Sequence, residues 1–176
     1  MTRTQGARRA PAPALGTLLV LALVAAALVA ARPAPAKAAV EEAFCTGEGL
    51  MVLYPRSGSG PPISARMRTC VIRVPGPVGD APARSARIIV WGIAGSRIKA
   101  SLTITLHNYY TGQGMRGRGG TWSVNHPTIQ VTTSADRSGV CTYAQGYVSS
   151  VYATYNGRGY SGGGLFQSTR SQQGCR

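Results

Sequence analysis

The chain has 176 residues and a net charge of +14, from 19 lysines and arginines against five acidic residues. This length suits one domain with a substantial core. With only five carboxylates and two histidines, the composition argues against an enzyme and predicts neither a metal nor a cofactor.

Residues 1–38 have the layout of a secretory signal peptide, which would be a helical segment. Three arginines open it, an apolar segment follows at 14–31, and small residues allow cleavage after Ala38 or, alternatively, Ala36. Cleavage after Ala38 would leave one domain at 39–176, secreted and without a stable membrane span. The competing interpretation is an uncleaved anchor, because the apolar run is only slightly shorter than a bilayer span. Removing five of the 19 basic residues leaves a domain charge of +9.

The four cysteines are Cys45, Cys70, Cys141 and Cys175. An even number in an exported chain without Cys-x-x-Cys predicts two disulfides rather than a zinc site. We favour Cys45–Cys70 and Cys141–Cys175, since each pair closes one local strand-loop-strand segment. The main alternative pairs Cys70 with Cys141 across the core and Cys45 with Cys175 at the termini.

The first half of the domain predicts strands at 50–54 and 66–74, separated by Pro/Gly-rich loops. A central hairpin is predicted at 87–110, with Gly95-Ser96 as its two-residue loop and with both strands in the sheet interior. Its second strand alternates strictly between apolar and polar residues. The expected facing pairs are Ile93 with Ile98, Trp91 with Ala100, and Ile89 with Leu102.

The second half predicts a glycine-rich loop at 112–120, short strands at 122–124 and 129–133, and a long strand at 140–155. Gly146 is expected to mark a bulge or bend in that strand. Asn156-Gly157 predicts a tight hairpin turn. Because no segment shows helical periodicity, we expect an all-β, antiparallel β-sandwich, immunoglobulin-like or similar, of about seven or eight strands.

Four features form a recognisable layout: the leader, the first Cys-to-Cys segment, the Thr/Val-rich central strand, and Ser-Gly-Val-Cys-Thr-Tyr at 138–143 followed by a terminal Cys. This layout resembles small exported four-cysteine β-sandwich proteins of GC-rich Gram-positive bacteria. The spacing of Asp136, Gly139, Cys141 and Tyr143 is also similar to the strand-F corner of immunoglobulin domains, with Tyr and Cys in the reverse order. These resemblances imply a β-sandwich and no particular activity.

Aromatic residues crowd the C-terminal segment, where they predict a platform for a sugar or a peptide. Three of the tyrosines share a parity on the long strand and would line one face. The alternative is ordinary cross-strand aromatic packing. The candidate ligand-binding residues are Tyr143, Tyr147, Tyr155, Asn156, Arg158 and Tyr160.

Catalytic patterns are weak throughout the chain. His107 and His126 are the two histidines, no Gly-x-Ser-x-Gly elbow is present, and Glu48 with Asp136 is the one carboxylate pair worth testing. The loop at 112–120 lacks the Gly-Lys-Ser/Thr of a phosphate-binding loop. Its single Arg-Gly-Gly element does not predict a nucleic-acid partner.

The sequence therefore favours a secreted, non-catalytic binding protein of the cell envelope or extracellular space. Its expected partner is an anionic envelope polymer, a glycan or a protein, and the ligand and the oligomeric state stay open. One alternative is a secreted inhibitor or toxin that presents the loop at 55–64 or 112–120. Another is a small hydrolase using His107 or His126.

Intact mass spectrometry of the exported protein tests both covalent predictions. The mass should correspond to a chain beginning at Ala39, and reduction of the four cysteines should add the mass of four hydrogen atoms. Retention of residues 1–38 would contradict cleavage, and a mass unchanged by reduction would contradict the disulfides.

Overall fold

The computed structural model describes residues 42–77 and 79–169, and all regular structure in these ranges is β-strand. The predicted leader and Cys175 lie outside the described residues. The all-β, antiparallel class is confirmed, with ten strands rather than seven or eight. They are β1 (Glu42–Cys45), β2 (Gly49–Pro55), β3 (Ile63–Val74), β4 (Ala83–Trp91), β5 (Arg97–Asn108), β6 (Gly114–Val124), β7 (Thr128–Thr132), β8 (Thr142–Tyr155), β9 (Arg158–Gly162) and β10 (Leu165–Ser168). No helix in the described part of the chain has the length and hydropathy of a membrane span.

The strands form one nearly closed sheet in the order β6-β5-β8-β9-β2-β3-β4-β7, with β1 added beside β3 and β10 beside β8. We call β1, β2, β3, β4 and β7 the first sheet, and β5, β6, β8, β9 and β10 the second. Pairing of Tyr54 with Ser161 and of Pro55 with Tyr160 joins the two. Inward side chains of both sheets form one shared core.

β5 shows most clearly how the sequence fills this core. Its alternating apolar residues all point inward, as predicted, and each is at most 3% exposed. Burying one such Leu or Ile side chain stabilises the fold by roughly 1.5–3 kcal/mol. The inward residues are Ile98, Ala100, Leu102, Ile104 and Leu106.

The predicted hairpin between β4 and β5 is wrong, although both strands do lie in the sheet interior. β4 pairs with β3 and β7, whereas β5 pairs with β6 and β8. The Ser96 N–H donates to the Ile93 carbonyl at 3.0 Å, and Gly95 has a φ of +82° at the third position of that turn. A positive φ there fits a type II turn, whose twist does not match a hairpin. This turn instead carries the chain from one sheet to the other.

β8 crosses the core beside β3 and β4, and Gly146 lies at the closest approach. A Cβ at this position would be 2.5 Å from Thr69 Oγ1, 3.0 Å from Ile88 Cδ1 and 3.2 Å from Met67 Cε. The predicted bulge at Gly146 is three residues away, at Ser149, which has no partner between the Ser101–Ser150 and Leu102–Val148 pairs. Gly146 is therefore needed for packing between the sheets, because only a hydrogen fits there.

Gly146→Ala should lower the free energy of unfolding by about 1–3 kcal/mol, because the added methyl overpacks the core. Chemical denaturation would measure the change. Gly117→Ala is the matched control, since a Cβ at this strand glycine meets nothing closer than 3.7 Å. The control should stay within about 1 kcal/mol of the wild type, and equal effects of the two substitutions would contradict the packing role.

The glycine-rich segment predicted as a loop forms most of β6, which is a correction. Gly117 and Gly119 lie opposite Thr105 and Thr103 of β5, on the outer face. The intervening arginines are on the other face, directed toward the gap between the two sheet edges, β6 and β7. Arg118 Nη1 donates to the Thr132 carbonyl of β7 at 3.3 Å. Side chains thus bridge an edge that the backbone leaves open.

A nearly buried carboxylate lies beside this gap. Asp136 forms a two-bond backbone bridge with Arg84, and its Oδ1 is 3.6 Å from Arg116 Nη2. Its Oδ2 accepts hydrogen bonds from the Ser138 hydroxyl and the Ser138 N–H. The Ser138 hydroxyl, with smaller contributions from the Ser138 N–H, Arg116 and Arg84, holds the pKa of Asp136 below its ordinary value. Burial is the main cause of a lowered pKa at Arg84.

The lowered pKa of Asp136 makes the fold acid-sensitive. Its charge-dependent stabilisation is fully present above the ordinary pKa of 3.8 and is lost as the pH falls through the lower folded value. Asp136→Asn should destabilise the protein at pH 7 by about 1–3 kcal/mol and weaken the loss of stability on acidification, measured by denaturant unfolding from pH 7 to pH 2. Asp80→Asn, at an exposed carboxylate, is the control. An unchanged acid profile in Asp136→Asn would contradict this role.

The Cys45–Cys70 disulfide is present, as favoured, which rules out the Cys70–Cys141 alternative. The two residues lie directly opposite each other on β1 and β3, with Cα atoms 4.0 Å apart. Closing this 25-residue separation stabilises the fold by about 3 kcal/mol in the chain-entropy treatment. Cys141 is also disulfide-bonded, and its predicted partner Cys175 lies outside the described residues.

Candidate ligand-binding face

The outer surface of the second sheet carries a group of aromatic side chains. The alternation that buries one face of β8 directs the other face to solvent, and β10 and β2 add one ring each beside it. Four of the rings are 41–62% exposed, which is high for large apolar groups. We call this surface the aromatic face: Tyr54, Tyr143, Tyr147, Tyr152 and Phe166.

The bulge at Ser149 determines which rings share the face. Val148 and Val151 are three residues apart, yet both are fully buried because the extra residue lies between them. The same extra residue brings Tyr147 and Tyr152, five residues apart, to the outer side. In a regular strand these two rings would point to opposite faces.

β5 supplies the polar half of the same surface. Its outward residues lie directly opposite those of β8, so the threonines of β5, and beyond them the glycines of β6, lie beside the rings. Such small groups leave a flat surface from which the rings project. The facing pairs are Lys99 with Tyr152, Thr103 with Tyr147, Thr105 with Gln145, and His107 with Tyr143.

His107 has a structural role at one end of the face. Its ring stacks on Tyr143 with centroids 4.9 Å apart and planes 15° apart. Its Nδ1 is 3.0 Å from the Gly112 carbonyl, so Nδ1 must carry the proton and donate. Tyr109 packs edge-on against Tyr143 at 6.5 Å. These contacts fix the β5–β6 loop against the end of the face.

The aromatic face is also positively charged. Arg56 lies over the Tyr152 ring, with its guanidinium carbon 5.5 Å from the centroid, and Lys99 lies opposite that ring on β5. The ion pairs of the described acidic residues are elsewhere, on the first sheet or beside the gap. They are Glu42 with Arg73, Glu48 with Arg66 and Arg68, and Asp136 with Arg116.

The six predicted ligand-binding residues do not form one platform, which corrects that prediction. Tyr143 and Tyr147 lie on the aromatic face. Beyond the bulge the parity reverses, so Tyr155 packs against the core, and Tyr160 is only 5% exposed within it. The other two residues belong to the β8–β9 hairpin: Asn156 has a φ of 48° in the confirmed Asn-Gly turn, and Arg158 Nη1 lies against Gly60.

Sequence reasoning missed three rings of the face and its two cations, Arg56 and Lys99. Tyr54 had no usable signal, because the outward Leu50 and Val52 are as apolar as the buried Met51 and Leu53. Tyr152 also had no sequence signal, because nothing in the residue types around Ser149 marks the bulge that turns Tyr152 outward. Phe166 lies in a short strand, and Lys99 is a neighbour of the tyrosines only because β5 pairs with β8, which the predicted hairpin did not include.

The candidate catalytic groups are each engaged in separate contacts. His126 Nδ1 accepts the Thr128 N–H at 3.4 Å within its own turn. Glu48 and Asp136 contact different arginines. In residues 42–77 and 79–169, no hydrogen bond joins a histidine to a carboxylate, and no cluster of three or more His, Cys, Asp or Glu residues forms a metal site.

Pockets occur away from the aromatic face. One of about 480 Å³ is lined mainly by the Pro/Gly-rich loop after β3, together with Asp80 and Arg137. Another of about 240 Å³ lies beside Trp91 and Arg66 on the first sheet. Neither lining includes a histidine or a pair of carboxylates among the described residues.

Comparison with protein-family models, curated protein sequences and solved structures finds no match to this chain. Any function must therefore be argued from the chemistry of its own surfaces, of which the aromatic face is the most distinctive.

Proposed function

We propose that this protein is a secreted, non-catalytic binding protein of the cell envelope or extracellular space, and that the aromatic face binds an extended anionic polymer. The observation that carries the proposal is the row of exposed rings on one flat, positively charged sheet face. Exposed Tyr147 and Phe166 are directly paired across β8 and β10. Clustered exposed apolar groups of this kind mark interaction sites.

The spacing of the rings suits a long ligand rather than a compact one. Tyr143 and Tyr147 are four residues apart on β8 and therefore separated by roughly 13 Å. Neither of the two pockets described above lies on the face, so a ligand would lie along it. Sugar units present apolar C–H faces to tyrosine rings, while tyrosine hydroxyls and neighbouring threonines offer hydrogen bonds.

Charge supports the same partner class. Residues 39–176 carry +9, which attracts polyanions through a salt-dependent field. The described acidic residues with ion pairs neutralise arginines outside the aromatic face. Arg56 and Lys99, the two cations beside the aromatic face, form no ion pair among the described residues and are available to a ligand.

An extracellular location rests on two features. The first is the signal-like segment at 1–38. The second is the Cys45–Cys70 disulfide, which is compatible with an oxidising compartment. Release from the membrane and residence at the envelope are parts of the proposal.

Removing paired rings should abolish polymer binding. The double variant Tyr147→Ala/Phe166→Ala should co-sediment with isolated Gram-positive cell walls at least tenfold less than the wild type at low salt, because two stacking contacts are lost. High salt should weaken binding of the wild type as well.

Tyr110→Ala is the matched control, since Tyr110 is 76% exposed but lies in the β5–β6 loop. It should bind walls like the wild type. Failure of the wild type to co-sediment at low salt, or equal loss in the control and the double variant, would refute the role of the aromatic face.

A second candidate, a secreted inhibitor, is favoured by the β5–β6 loop. Asn108 Oδ1 accepts the N–H groups of Tyr110 and Thr111 at 2.9 and 3.2 Å, which holds the loop in one conformation and presents Tyr110. The sequence predicted 112–120 as the presented loop, but most of that segment is strand β6. The loop proposed to contact a target enzyme is therefore the β5–β6 loop that contains Tyr110. Inhibition of a protease panel that disappears in Tyr110→Ala would favour this candidate over wall binding.

A further inference from the structure

One row of residues crosses the aromatic face at right angles to the strands. Lys99 of β5 lies opposite Tyr152 of β8, Tyr152 opposite Ser161 of β9, and Ser161 opposite Tyr54 of β2. Adjacent strands are roughly 4.8 Å apart, which separates the two rings by roughly 10 Å, with a small hydroxyl residue between them. This distance is comparable to the length of a disaccharide.

The Tyr152 end of this row differs from the rest of the face in having a cation on each side. Arg56 lies over one side of the ring at 5.5 Å, within the range of a cation–π contact. Lys99 approaches from the β5 side, with Cβ atoms of such a directly opposed pair about 5 Å apart. No ion pair in the described residues engages either cation. Neither charge is therefore neutralised within the described residues, and both are available to a ligand that covers the ring.

We infer that this row is a subsite for an acidic polysaccharide, in which sugar rings stack on Tyr152 and Tyr54 and a carboxylate on the sugar binds Lys99 and Arg56. The inference rests on the proposed function and names its ligand class. The rings require a ligand that itself has rings, which a linear polyphosphate or polyol phosphate chain lacks. The two cations require that ligand to be charged, which a neutral glycan is not.

The test uses three polymers with the full secreted chain, and isothermal titration at fixed salt gives each Kd. Polygalacturonate has rings and carboxylates, its fully methyl-esterified form has the rings alone, and inorganic polyphosphate has the charge alone. Polygalacturonate should bind at least tenfold more tightly than either of the others. Comparable binding of the esterified polymer would overturn the role of the cations, and comparable binding of polyphosphate would overturn the role of the rings.

Single substitutions locate the subsite. Tyr152→Ala and Lys99→Gln should each weaken polygalacturonate binding by roughly 5- to 20-fold, whereas Tyr152→Phe and Lys99→Arg should retain most of it. Tyr110→Ala and Arg137→Gln, a ring and an exposed cation off the face, are the matched controls. Retained affinity in Tyr152→Ala or Lys99→Gln would overturn the assignment. Tyr152→Phe keeps the ring and Lys99→Arg keeps the positive charge. Retained binding in these two variants would show that the losses in Tyr152→Ala and Lys99→Gln come from the missing ring and the missing charge.

The two proposals fail in different ways. If Tyr147→Ala/Phe166→Ala abolishes wall binding while Tyr152→Ala and Lys99→Gln leave polygalacturonate binding unchanged, the acidic-sugar subsite is wrong and the binding face stands. If wall binding survives in the double variant, the binding face itself is wrong. Tight binding to anionic phospholipid vesicles without binding to polygalacturonate would also overturn the subsite, in favour of a lipid surface.

Discussion

The register between β5 and β8 is the constraint on which both the core and the aromatic face depend. β5 is strictly alternating, so its partner must present apolar side chains at matching positions along the full length of the pair. β8 achieves this only because one residue, Ser149, is left unpaired. The bulge preserves burial on the inner side and, as a consequence, collects rings on the outer side. The residue that keeps the core continuous on one side of β8 thus also aligns the outward side chains on the other.

Some features of the structure could be predicted from the sequence because they depend only on residues that are close together in the chain. The alternation of β5, the Asn156-Gly157 hairpin and the local Cys45–Cys70 bridge each follow from short-range patterns. The β4–β5 hairpin failed because β4 is apolar on both sides, so its inward set could be read as Ile89 and Trp91 when it is Ile88 and Val90. A strand without a distinct polar face does not specify its own register.

The predictions made at the glycines, for 112–120 and for Gly146, were wrong for a related reason. A glycine-rich segment has no side-chain pattern, and 112–120 was expected to be a loop. In the structure Gly119 leaves room for Thr103 of β5, while Arg118 reaches across to β7. Gly146 was expected to interrupt pairing, but the space it leaves is needed by side chains of the opposite sheet. Close approaches between distant segments are tertiary facts that local sequence does not encode.

Only part of the aromatic face could be predicted from the sequence, because its residues come from four strands. Tyrosine parity identified Tyr143 and Tyr147, yet Tyr152 needed the bulge, and Lys99 and Tyr54 needed the strand order. No single segment contains the row that crosses the face. Lys99 and Tyr152 are neighbours because β5 pairs with β8, whereas the predicted hairpin paired β5 with β4.

The location of the face on strands also bears on how it would bind. Backbone pairing on both sides of β8 fixes the positions of Tyr147 and Tyr152 before any ligand arrives. Because these positions are already fixed, few groups lose conformational freedom when a ligand binds. The entropic cost of binding is therefore small, and more of the free energy of the weak ring contacts contributes to affinity. The first sheet, by contrast, neutralises much of its charge through Glu48 and Glu42. Several exposed rings and two cations that form no ion pair among the described residues lie together on the aromatic face, which is why we assign binding to that side of the sandwich.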